Sequence, residues 1–194
     1  MVGRWILAVE GGRFSKYSEM ATPVALLFTE GIRPRKLMFK SVEVDGTDAT
    51  RKLLEAVDEE ARVNEGEEKE KGRRGRISLV MSSSVPIAGF NLIDAREILA
   101  RLGVPTVFVL PEMPDFSAVE SALRKHFKDW RARLEVIAGA GAVAEFDIEG
   151  ERLRLECVGI TQGEAIEIVR RLTIFGNVPE PIRIARMACR ALTG

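Results

Sequence analysis

Few of the residues that carry easily recognised chemistry are present. The 194 residues include one histidine, two cysteines, one tyrosine and two tryptophans. A single histidine, His126, is too little for a Cys/His zinc cluster. It also lies at the far end of a different predicted helix from Ser82-Ser83-Ser84, the serines that would need it as a base. Cys157 and Cys189 have no CxxC spacing, and two cysteines in a chain of this size do not make a disulfide scaffold. They are expected to be buried thiols. Charge of either sign is not in excess, because 29 Lys and Arg balance 29 Asp and Glu. That balance gives no global pull toward nucleic acid or membrane, so any nucleic-acid site must be a local basic patch. Long apolar runs are missing as well. Trp5 to Val9 is ended by Glu10, and Val24 to Phe28 is only strand length. Neither suits a secretory leader or a membrane span, and the expectation is a cytoplasmic chain with no membrane partner. Gln162 is the only glutamine, and Asn64, Asn91 and Asn177 are the only asparagines. With 30% charged residues, so few thermolabile amides are a thermophile-like signal.

What is present reads as one domain over residues 1–194 with a sizeable core. Apolar runs predict strands over Arg4 to Val9, Thr22 to Thr29 and Lys36 to Val44, joined by short turns into an antiparallel meander. Met38, Val42 and Val44 are expected on one face of the third. Asp45-Gly46-Thr47-Asp48 is turn chemistry, with Asp48 as helix cap, and Leu53, Leu54, Val57 and Ala61 recur at helical spacing to about Val63. Residues 64–76 contain no apolar side chain and are expected to be an exposed charged loop. Ile77 to Met81 reads as a central strand, followed by Ser82-Ser83-Ser84. A helix is expected over Asn91 to Leu102 and stopped by Gly103, then a strand over Val104 to Leu110. Phe116 to His126 and Trp130 to Ile137 read as one long or two short helices. Val143 to Ile148 and Leu153 to Cys157 read as an inserted hairpin about Glu149-Gly150, and helices over Gly163 to Leu172 and Pro181 to Leu192 close the chain. This order describes an α/β mixed sheet in which a meander feeds parallel βαβ units.

Five segments resemble one family. They are Ala8-Val9-Glu10-Gly11-Gly12-Arg13-Phe14, Val42-Glu43-Val44-Asp45-Gly46-Thr47-Asp48-Ala49-Thr50, Ala88-Gly89-Phe90-Asn91-Leu92-Ile93-Asp94, Lys125-His126-Phe127 and Gly176-Asn177-Val178-Pro179-Glu180-Pro181-Ile182-Arg183-Ile184-Ala185. Together they resemble the mostly archaeal domain-of-unknown-function family ninety-nine, a relative of endonuclease V. The resemblance implies a ribonuclease H-like fold with an added hairpin and C-terminal helices. It also implies a Mg²⁺ site at the strand ends, where carboxylates hold a hard cation that activates water and stabilises the leaving oxygen.

The site residues implied by the resemblance are altered here. Glu10 stands where aspartate is expected, one methylene longer, and Gly11 replaces a second acid. The third acid falls on Ser83, and the His or Asp after the C-terminal alanine falls on Arg186. Asp45 and Asp48 survive, with Glu43 before them. The metal set implied is therefore Glu10, Asp45 and Asp48, with Ser83 beside it. Loss of acid and gain of a fixed cation both oppose a divalent ion. Glu10 alternatively reads as a strand-terminal acid that caps a backbone amide. The serines more simply offer hydroxyls and amides to an anion or to solvent, since no GxSxG elbow is present. Arg183 and Arg186 lie one turn apart, positioned either for phosphate or for ion pairs with carboxylates such as Glu10. Arg73, Arg74 and Arg76 form a basic cluster that could touch phosphate, offset by the acidic run Glu65 to Glu70. Gly11-Gly12-Arg13 allows close backbone approach to a phosphate but is no GxGxxG fingerprint. Three function classes remain: an endonuclease V-like domain that binds nucleic acid with weak or no catalysis; a non-enzymatic interaction module, as a homo-oligomer or subunit; and a Mg²⁺-dependent nuclease with a rearranged carboxylate site.

Overall fold

The computed structural model describes residues 4–12, 22–67, 76–148 and 150–193. Its elements in chain order begin with β1 (Arg4–Gly11), β2 (Thr22–Glu30), β3 (Arg33–Val42), α1 (Ala49–Glu67) and β4 (Arg76–Ser82). Next come β5 (Pro86–Ala88), β6 (Asn91–Leu92), α2 (Ala95–Leu102), β7 (Thr106–Leu110), α3 (Phe116–His126) and α4 (Trp130–Ala138). The chain closes with β8 (Ala144–Ile148), β9 (Glu151–Val158), α5 (Gln162–Leu172) and α6 (Glu180–Thr193).

Seven strands form one sheet in the order β3-β2-β1-β4-β7-β9-β8. The expected meander is there: β1 pairs antiparallel with β2, and β2 with β3. β4 is central, parallel to both β1 and β7. The period-2 pleat divides the core in two. Leu7, Val9, Leu26, Phe28, Val80 and Phe108 face the cluster that includes α1 and α2 residues. Their neighbours Ile6, Leu79, Met81 and Val107 pack with α5 and the start of α6. Ala8, Ala25 and Leu27 meet Ala185 and Cys189 of α6. A sheet covered on both faces needs apolar residues at every position, which is why β1 and β2 read as continuous runs instead of alternating. Among the described residues no helix is long and apolar enough to cross a membrane.

Several expectations are corrected. The segment from Asn91 is not helical at first: Asn91 and Leu92 form β6, and α2 starts at Ala95 because Asp94 accepts from the amides of Arg96 and Glu97. Gly103 does stop that helix, at φ 65°. α1 continues past Val63 to Glu67, so the start of the expected loop is helical; residues 68–75, with Arg73 and Arg74, lie outside the described residues, and Arg76 opens β4. β3 ends at Val42, which leaves Val44 in the following turn. The expected hairpin β8–β9 is present, and β9 pairs antiparallel with β7 so that it extends the main sheet. Cys189 is buried, whereas Cys157 is only half-buried.

Candidate functional site

The parallel register of β1 and β4 decides what meets at the strand ends. Val9 lies opposite Ser82, so Glu10 and Ser83 leave their strands side by side. Glu10 shares pleat parity with Ala8 and therefore points toward α6. Its side chain is 5% exposed. The Ser83 amide donates to Glu10 Oε1 at 2.8 Å, and the Ser83 hydroxyl to Oε2 at 3.0 Å. Arg186 of α6 donates its Nε to the same Oε2 at 3.2 Å. Burial pushes the Glu10 carboxyl above its ordinary value, while Arg186 and the two Ser83 bonds pull it back. Cys189 Sγ donates to the Glu10 carbonyl at 3.1 Å, which ties the strand end to α6 from below.

Residue 11 has the opposite parity and would look toward α1. It is glycine, and a Cβ built there would meet the Ile87 carbonyl oxygen at 1.9 Å. The β5 segment thus occupies the place that a second acid would need.

Asp45 and Asp48 form a separate network on the α1 face. Asp45 has φ 59°, and its Oδ1 accepts from the Phe90 amide at 2.7 Å. Gly89 is glycine for a matching reason: its φ is 63°, and an added Cβ would meet Asp45 Oδ1 at 2.1 Å. Asp48 Oδ1 accepts from Asn91 Nδ2 at 2.6 Å and from the Glu43 amide at 3.2 Å. The expected cap role of Asp48 passes to Asn91, whose Oδ1 accepts from the first α1 amide, Ala49, at 2.9 Å. Buried Arg133 of α4 closes the network from outside. Its Nη1 donates to the carbonyls of Gly46 at 2.9 Å and Phe90 at 2.6 Å. Its guanidinium lies 4.4 Å from the Phe127 ring centroid and pairs with Asp129. Asn91 stood in a quoted motif with no role assigned, and nothing in the sequence marked Arg133.

Of the remaining arginines, Arg183 pairs with buried Glu180 on its own helix. Arg76 sits at the start of β4, a strand's length of roughly 20 Å from Ser83. The described sequence-derived candidates therefore separate into four places: Glu10, Ser83 and Arg186 together; Asp45 and Asp48 held by Phe90 and Asn91; Arg183 paired with Glu180; and Arg76 at the far end of β4.

This donor set does not fit an endonuclease V-type Mg²⁺ site. A small hard cation needs several anionic or neutral oxygens around it. Among the described residues Glu10 is the one carboxylate in the strand-end cluster, and it already shares an oxygen with a guanidinium. Among the described residues no group of three or more His, Cys, Asp or Glu is placed to hold a metal ion.

A family model described as Endonuclease dU matches residues 3–193. The UPF0215 protein of Thermococcus gammatolerans is 34% identical over 191 residues, covering 96% of this chain and 91% of that protein. The UPF0215 protein of Methanothermobacter thermautotrophicus is 30% identical over 189 residues, covering 97% and 87%. The numeral ninety-nine is not among the names these matches carry. A crystal structure of a protein of unknown function from Archaeoglobus fulgidus superimposes with a TM-score of 0.78 at 24% identity, covering 97% of this chain and 98% of that one. Ciona intestinalis endonuclease V, solved with an inosine-containing DNA, superimposes with a TM-score of 0.58 at 11% identity, covering 98% and 85%. At such identities the structural matches carry the fold alone, which is endonuclease V-like and ribonuclease H-like.

Proposed function

Because the chain belongs to the endonuclease dU family, we propose that it engages nucleic acid carrying a deaminated base at the strand ends of the sheet, with Mg²⁺-dependent cleavage weak or lost. The substrate class follows the family description, deoxyuridine, and the inosine in the DNA bound to the Ciona enzyme. The observation that carries the loss of catalysis is the Glu10–Ser83–Arg186 cluster. An ionised carboxylate offers about four lone-pair sites, and three are taken. Arg186 holds a fixed positive charge against the same oxygen that a metal would need. Two like unit charges at about 4 Å repel by about 4 kcal/mol at a moderately high effective dielectric, and a divalent ion doubles that. Arg186 instead suits a phosphate, whose charge it complements.

The test is binding and cleavage of single-stranded DNA and RNA containing one deoxyuridine or one inosine, at low salt, with Mg²⁺ and with Mn²⁺. Binding without efficient cleavage is expected. Robust metal-dependent cleavage abolished by Glu10→Gln overturns the claim of weakened catalysis, and no binding at low salt removes the nucleic-acid reading altogether.

A further inference from the structure

β1, β4 and β7 run parallel, so their carboxyl ends share one edge of the sheet, where ligands of open α/β sheets usually bind. Beyond the end of β7 lies a small, shallow cleft that opens to solvent. Leu110, Val178 and Ile182 form apolar walls, and Asn177, Arg152 and Arg186 supply the polar groups. Among the described residues no carboxylate lines it. Arg186 reaches Glu10 through Nε alone, and its two Nη groups have no partner among the described residues. Arg152 is 64% exposed and only loosely paired, with Asp147 at 3.8 Å. Two cations therefore flank an apolar slot next to the Glu10 cluster.

The connection between α5 and α6 that brings Asn177 and Val178 to this cleft also carries Phe175, which is 76% exposed, and Ile174, which is 44% exposed. Just past β7, Met113 and Phe116 are 50% and 43% exposed. A phenyl ring that far out of the core gains nothing in the free chain. It is what a stacking platform for unpaired bases requires, and arginines without competing acids are what the accompanying phosphates require.

We propose that this cleft and Phe175 hold a nucleotide of a single strand. The base stacks on Phe175, the phosphates meet Arg152 and Arg186, and the Asn177 amide faces the polar edge of the base. The assignment rests on the nucleic-acid reading above and names the subsite that serves it. A paired base cannot present its face to Phe175, so single strands are favoured over duplex.

The experiment is fluorescence anisotropy with a short labelled single-stranded DNA carrying one deoxyuridine, and with its duplex. Phe175→Ala is expected to weaken single-strand binding by roughly 5- to 100-fold, and Phe175→Trp to retain it. Arg152→Ala is expected to lower the salt dependence by about one phosphate contact. Both positions are exposed, so neither change threatens folding. If the native chain binds and Phe175→Ala binds equally well, this subsite is wrong while the nucleic-acid reading survives. If the native chain does not bind at all, both fall.

Discussion

Replacement of Glu156 by glutamine should change how stability depends on pH. Glu156 lies on β9 opposite Phe108 of β7, on the face covered by the larger core. It is 2% exposed, and no hydrogen bond or ion pair holds its carboxyl among the described residues. Burial alone pushes it from an ordinary 4.5 up to about 7. Between those two values the unfolded chain gives up its proton and the folded chain keeps it. Folded-state stability is therefore full below about pH 4.5, declines as pH rises through the window, and levels off above pH 7. At about 1.4 kcal/mol per pH unit the loss is roughly 3 kcal/mol. Glu156→Gln removes this loss, at a constant cost for the buried amide that does not vary with pH. Guanidinium unfolding of both proteins at pH 4 and pH 8 isolates the effect, because every other titrating group cancels in the comparison. The advantage of the variant over the native chain should grow by roughly 3 kcal/mol from the lower to the higher pH. Parallel pH profiles for the two proteins would refute the reasoning, and would mean that Glu156 ionises in the folded state without hindrance.

Two further substitutions probe the strand-end cluster. Arg186→Ala leaves the buried Glu10 carboxylate without its counter-charge. It should cost about 3 kcal/mol in chemical denaturation, near the low end for a broken buried pair, since Ser83 keeps its two bonds; adding Glu10→Gln to that variant should recover most of the loss. Gly11→Asp adds an acid on the α1 side of the sheet, yet its Cβ meets the Ile87 carbonyl at 1.9 Å. The expected result is a lower melting temperature with no gain in Mn²⁺ binding by calorimetry, and tight Mn²⁺ binding by a well-folded variant would contradict that.

How much was legible depended on how local the cause was. α3 runs over Phe116–His126 as expected, because Asp115 caps it by accepting from the Ala118 amide within one turn. The same local rule misjudged α2, since Asn91 is engaged with Glu43, Asp48 and Ala49, all more than forty residues away. Arg183 and Arg186 were legible as neighbours on one helix, but their partners were not. One pairs with Glu180, three residues back, and the other with Glu10, 176 residues away.

The sequence by itself determined the class of fold and the order of the seven main-sheet strands and of the helices, because hydrophobic period and motif identity are properties of short segments. Only the tertiary structure decided that Glu10 meets Ser83 and Arg186 and does not meet Asp45 or Asp48. The physical reason is the pleat: adjacent residues of β1 face opposite sides of the sheet, so Glu10 belongs to the α6 side and the two aspartates to the α1 side. A strand-end acid thus found an arginine in place of other acids, and that pairing sets the chemistry open to the site.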